Sequence, residues 1–145
     1  MAIDEHRQLG VARADHPRTD GRRLVARQLR IALLVSGAGH LVHNLEEFGL
    51  TLLMLGQTAV PAAATALFFV AARRPTRGLF VTAGIWGVIV FVVGGLTVLP
   101  LLFLPFEPAQ TFSHYLAHVA YALLQVPLIV VGWRAAMASH PRRVR

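Results

Sequence analysis

Two polar clusters interrupt otherwise apolar sequence, and both are rich in side chains that bind metals or move protons. The first, HLVHNLEEF, carries His40, His43, Asn44, Glu46 and Glu47. The second, SHYLAHVAYALLQ, carries His114, His118, Tyr121 and Gln125. Neutral imidazoles and carboxylates a few residues apart on facing helices are the ligand set of bundles that hold iron, manganese or zinc. Without a metal, a buried carboxylate beside a histidine can serve as a general acid or base, or as one station in a proton pathway.

The spacing predicts two stripes. On a helix advancing about 100° per residue, His40, His43, Asn44 and Glu47 share a sector of about 100°, and Glu46 lies about 60° beyond His43. In the second cluster His118, Tyr121 and Gln125 follow His114 at i+4, i+7 and i+11, which continues one face. If the first helix runs on to Leu55, the two glutamates lie roughly 12–15 Å below its end. His118 and Gln125, counted from the start of the last helix, lie about 9 and 20 Å down, so the stripes overlap. The expected metal ligands are His40, His43, Glu46, Glu47, His114 and His118, with Asn44, Tyr121 and Gln125 lining the site. For proton chemistry Glu47 is the favoured donor, with His43 its partner and Glu46 beside them.

These clusters need elements to hold them, and composition says what those elements are. The chain has 145 residues, 55% of them hydrophobic and only 14% charged, with a mean hydropathy of +0.57. A soluble domain would carry about a quarter charged residues. The pattern is that of an integral membrane protein. The formal charge of +7 does not indicate nucleic-acid binding, because the basic residues are all Arg and gather in the termini, one short loop and the last turn of the fourth apolar run. There is no cysteine, so a disulfide framework and thiolate ligation are both excluded. No cleavable signal peptide is expected, since the first thirty residues are polar and Arg-rich.

Four apolar segments follow, at about 31–55, 58–72, 78–104 and 113–137, and a span needs about 20 residues. The second is short, and opens at Pro61 as though in a first helical turn. Residues 1–28 read as an Arg-rich and largely disordered cytoplasmic segment, although GRRLVARQLR could continue the first helix along the surface. Residues 138–145 read as a basic tail. The RRPTR loop and both termini are basic, while the GQT turn and the PFEPAQT loop contain no basic residue. By the bias of Lys and Arg toward the cytoplasm, both termini are expected inside. The predicted fold is therefore all-α, a four-span antiparallel transmembrane bundle. Close packing is expected at Gly84, Gly87, Gly94 and Gly95, and at Ala63, Ala64 and Ala66.

The residues HNLEE, His43 to Glu47, resemble the motif of the HXXEE family of small bacterial integral membrane proteins. The resemblance covers this motif, the approximate length and the multi-span character. It implies a bacterial cytoplasmic membrane and singles out His43, Glu46 and Glu47, but it implies no reaction.

Three readings stay open. The preferred one is a metal-dependent enzyme, with iron, manganese or zinc, acting on a lipophilic substrate. One ion is expected rather than two, because the Glu-x-x-His pairs of two-metal bundles are absent. The second is a metal-free isomerase, cyclase or proton-coupled transporter using Glu47 and His43. The third is a structural or partner-binding subunit in which the polar groups set helix register. Two carboxylates are costly for that purpose: a charged residue at a helix centre costs about 2.5–3.5 kcal/mol, against about 0.3–0.6 gained per large aliphatic residue. Stacked bis-histidine haems are disfavoured, because the four histidines crowd one level. Thr65, Thr82, Trp86 and Thr97 read as walls, Trp133 as an interfacial anchor, and His6, His16, His140 and Glu107 as solvated groups. The expected partners are membrane lipids and a lipophilic small molecule, with homo-oligomerisation left open.

Overall fold

A computed structural model describes residues 16–96, Val98 and 111–139. Over these residues the chain is all-helical: α1 (His16–Phe48), α2 (Leu52–Ala71), α3 (Arg77–Leu96) and α4 (Phe112–Ala138). The outer end of the expected third span, the PFEPAQ segment with Glu107, Thr97, His6, His140 and the basic tail lie outside the described residues.

The first break falls earlier than apolar content predicts. Gly49 adopts φ +59°, a left-handed conformation that glycine reaches without a Cβ clash and that commonly ends a helix. Its N–H bonds the Leu45 carbonyl at 2.9 Å. Two residues on, the Thr51 hydroxyl accepts the Met54 N–H at 3.2 Å and caps α2, satisfying a first-turn donor that has no partner within the helix. The turn is therefore Gly49-Leu50-Thr51, and Gly56, Gln57 and Thr58 lie inside α2. Pro61 is likewise an interior residue, not a first-turn one. With 20 residues, α2 is about 30 Å long, which removes the shortness of the second segment.

The earlier break also changes the depth of the two glutamates. Glu46 and Glu47 occupy the last turn of α1, so they sit at a helix end and not 12–15 Å below one. At the other end, α1 starts at His16 and includes much of the segment read as disordered. A buried stripe of Ala26, Leu29, Ala32, Leu33 and Ser36 continues through the arginine-rich turns, and its packing orders them despite their polarity.

Three helices, α2, α3 and α4, are long and apolar enough to cross a membrane. α1 is long enough, but its polar residues lower its hydropathy. Leu53, Val60 and Leu67 of α2, Ile85 and Val92 of α3, and Leu116, Val119 and Leu123 of α4 are exposed. Apolar surface of this extent suits a lipid environment better than water.

The helices are antiparallel neighbours in the order α2, α1, α4, α3, with α2 and α3 barely touching. Against α2, α1 places Asn44 beside Thr58, Gly37 beside Thr65, and Arg30 beside Ala72. Each step is seven residues on both helices, the period of coiled-coil packing. Between α3 and α4, Gly84 lies on Gly132, Gly87 on Ile129, and Gly94 on Tyr121. A Cβ on Gly132 would stand 2.8 Å from the Gly84 backbone, so this contact requires glycine there. The expected close packing at Gly84, Gly87 and Gly94 is thus directed at α4. A Cβ on Gly95 would meet nothing, and Ala63 and Ala66 face outward.

The apolar core lies toward the end of the bundle that carries Arg30, where Leu29, Leu33, Ala72, Phe80, Ala83, Leu128 and Ala136 pack together. At the opposite end, among the described residues, a cavity separates α2 from α3.

Candidate metal centre

Four side-chain pairs join α1 to α4, and together they form a polar ladder. Positions 36, 40, 43 and 47 of α1 face positions 125, 121, 118 and 114 of α4, with intervals of four, three and four residues on both helices. The two predicted stripes therefore meet in an antiparallel register, and the ladder begins one step deeper than His40, at Ser36.

The lower two rungs are closed hydrogen-bond systems. Ser36 donates its hydroxyl to Gln125 Oε1 at 2.5 Å, and Gln125 Nε2 donates to the Tyr121 carbonyl at 3.2 Å. His40 Nδ1 lies 3.1 Å from the Ser36 carbonyl, which can only accept, so Nδ1 carries the proton and Nε2 is left with a lone pair. Tyr121 fills it by donating its hydroxyl at 2.7 Å. Both nitrogens of His40 are thus committed. The sequence expectation counts His40 among the ligands; in the structure it stands outside the group of three side chains that could share an ion.

The upper two rungs are chemically open. Glu47 Oε2 accepts from His114 Nδ1 at 2.8 Å, and His114 Nε2 is buried without a partner. His118 Nδ1 donates to the Gly94 carbonyl at 2.5 Å, which leaves the Nε2 lone pair of His118 for another group. The His43 ring sits 4.4 Å from the His118 ring, centroid to centroid, and the His114 ring 4.6 Å from it. His43 Nδ1 is buried with no hydrogen bond. Orphaned buried nitrogens are expensive, since each loses its hydration for nothing in return.

Glu47, His114 and His118 each offer a ligand atom within 4.8 Å of the others, and such a group could hold a metal ion. The surroundings also fit. Metal-binding histidines usually donate their second nitrogen to a carboxylate or a backbone carbonyl, which fixes the tautomer. His114 does so to Glu47 and His118 to Gly94. His114 and His118 are buried, whereas the Glu47 side chain keeps 26% of its surface accessible.

The other expected site residues fall elsewhere. Glu46 points away from Glu47, as adjacent helix positions must, and lines an outer groove with Gly39, Val42, Leu116 and Ala117. It is not part of the cluster. Asn44 lines the cavity, but its amide donates to Thr58 Oγ1 at 2.9 Å and ties α1 to α2. Gln125 is fully buried in the lowest rung and does not line the cavity.

The cluster opens onto a cavity of about 320 Å³ reached by all four helices. Its far walls are Gln57 and Pro61 of α2 and Trp86, Ile89, Val90 and Val93 of α3. Trp86 Nε1 is buried and unpartnered. A chamber with a polar wall from α1 and α4 and an apolar one from α3 suits a lipophilic molecule that carries a polar group. The residues that sequence reasoning missed are those acting through the backbone or across helices. Gly94 supplies a carbonyl, which no residue type announces, and Thr58 anchors Asn44 from a helix that looked like a turn. Ser36 could have been found, because it extends the stripe of His40, His43 and Glu47 at the same spacing.

No family model matches the chain, and no curated protein or solved structure gives a significant match. The functional reading therefore rests on the site itself.

Proposed function

We propose that this chain is a four-span membrane protein of the bacterial cytoplasmic membrane, with both termini inside, and that it is a metal-dependent enzyme acting on a lipophilic substrate. The observation that carries the proposal is the group of histidines at the top of the ladder. His114 and His118 have their Nδ1 protons fixed by Glu47 and by the Gly94 carbonyl. His114 Nε2 and His43 Nδ1 are buried without partners beside an apolar cavity. Zinc, iron or manganese suits this mixture of imidazole and carboxylate.

The chain's own residues have distinct tasks. His114 and His118 would hold the ion, with Glu47 either a third ligand or the carboxylate that orients His114. His43 stands between the cluster and the outer groove, within reach of either. A bound ion with an open position would supply an activated water or a polarised substrate oxygen. The apolar walls from α3 would orient a hydrocarbon portion and exclude bulk water, and the Trp86 N–H would hydrogen-bond a polar group on the substrate. The gap between α2 and α3 would admit such a molecule sideways from lipid. Membership of the HXXEE family belongs to the same proposal.

A second reading is favoured by the 2.8 Å contact of Glu47 with His114: the pair could exchange a proton with substrate without any metal. Elemental analysis of detergent-purified protein separates the two. About one zinc, iron or manganese per chain, lost from a His114→Ala, His118→Ala variant of matched helicity, is the expected result. Absence of metal from wild type, even after reconstitution with each ion, would leave the metal-free pair.

A further inference from the structure

At the end of the bundle opposite the histidines, a second cleft has a different chemistry. It occupies about 540 Å³ between the first half of α1 and the loop joining α2 to α3, and it is lined by Arg22, Arg23, Arg27, Arg30, Arg73 and Arg74, with Pro75 and Thr76. Arg30 and Glu47 are 17 positions apart on α1, or about 26 Å, so this cleft is separate from the cavity above.

We propose that this cleft is a binding site for a phosphorylated group carrying two or more negative charges. Three observations support it. The arginines converge from two parts of the chain, with Arg22, Arg23, Arg27 and Arg30 on one face of α1 and Arg73 and Arg74 facing them across the cleft. Among the described residues no acidic side chain lines the cleft, and none of these arginines has a carboxylate partner. Six guanidinium groups around one space repel one another unless an anion joins them. Arg30 is also held in advance: its guanidinium donates to the Ala72 carbonyl at 3.2 Å and lies 5.8 Å over the Phe69 ring, while its Nε is buried with no partner.

The neighbouring backbone favours the same ligand. Pro75 and Thr76 immediately precede α3; the Thr76 hydroxyl already accepts the Leu79 N–H at 3.1 Å, and the positive end of the α3 dipole lies beside the cleft. Planar guanidinium groups bind phosphate oxygens two at a time, which distinguishes a site from a diffuse basic surface. Its place at a bundle end puts the cleft at headgroup level if α1 crosses the membrane. Anionic lipid headgroups and soluble phosphates share the required chemistry.

The test is titration calorimetry on the full-length protein in a non-ionic detergent at about 0.15 M salt, where long-range attraction is screened. The probes are short-chain phosphatidic acid, short-chain phosphatidylcholine and inorganic pyrophosphate. The test variant is Arg27→Gln with Arg74→Gln, which keeps the Arg30 contact. The control is Arg77→Gln with Arg134→Gln, which removes the same charge from outside the cleft. Saturable binding of phosphatidic acid, absent with phosphatidylcholine and at least tenfold weaker in the test variant than in the control, establishes a lipid headgroup site. The same pattern with pyrophosphate establishes a site for soluble phosphate. Equal weakening in both variants, or no saturable binding of either anion, overturns the proposal.

Discussion

Tyr121 donates its hydroxyl proton to His40 Nε2 at 2.7 Å, because the other nitrogen of His40 is already committed to the Ser36 carbonyl. This contact divides the ladder. Below it the ladder residues Ser36 and Gln125 are hydrogen-bonded, and above it the histidines have nitrogens to spare. Tyr121→Phe is therefore expected to lower stability by about 1 kcal/mol in reversible detergent unfolding, with metal content unchanged. Loss of metal in this variant would show that the two halves of the ladder are not separable.

Glu47→Gln probes the carboxylate that orients His114. A neutral amide still reaches His114 but stabilises its Nδ1–H tautomer less. Zinc affinity should fall about 10- to 100-fold in chelator competition, while His118→Ala should abolish stoichiometric binding. Glu46→Gln should leave affinity at the wild-type value, since Glu46 lines the other groove. Equal losses at both glutamates would contradict their placement on different faces.

Gly94 serves both neighbours of the site. Its carbonyl holds His118, and a Cβ there would overlap the Tyr121 ring at its Cε1. Gly94→Ala should displace Tyr121 and cost about 1–3 kcal/mol by overpacking, read as a lower unfolding midpoint. Gly95→Ala, whose Cβ meets nothing, is the matched control and should be neutral or stabilising.

The position of the first turn can be tested with two glycines. Gly49→Ala places a Cβ at φ +59° and should cost about 1–2 kcal/mol. Gly56→Ala lies within α2 in open space and should stabilise by about 0.5–1 kcal/mol. The opposite ranking would restore the turn to Gly56-Gln57.

A chain without cysteine allows clean single-cysteine labelling. In the proposed topology Leu50→Cys reacts with an impermeant maleimide added to intact cells, while Gly78→Cys reacts only after permeabilisation. Labelling of Gly78→Cys in intact cells would overturn the orientation.

The sequence by itself determined the helical class, the two polar stripes and the residues that could face one another, because the helical repeat fixes which side chains share a face whatever lies opposite. Composition likewise fixed the apolar exterior, since a chain this poor in charge has too little polar surface to cover itself. The tertiary structure decided the rest. Gly49 and Gly56 look equally able to end a helix, and only the left-handed backbone at Gly49 and the cap from Thr51 distinguish them. His40 and His43 are three residues apart and chemically identical. What separates a committed imidazole from an open one is the partner across the interface, Tyr121 for the first and the His118 ring for the second. That partner is set by the register of two helices some eighty residues apart in the chain, and local periodicity contains no term for it.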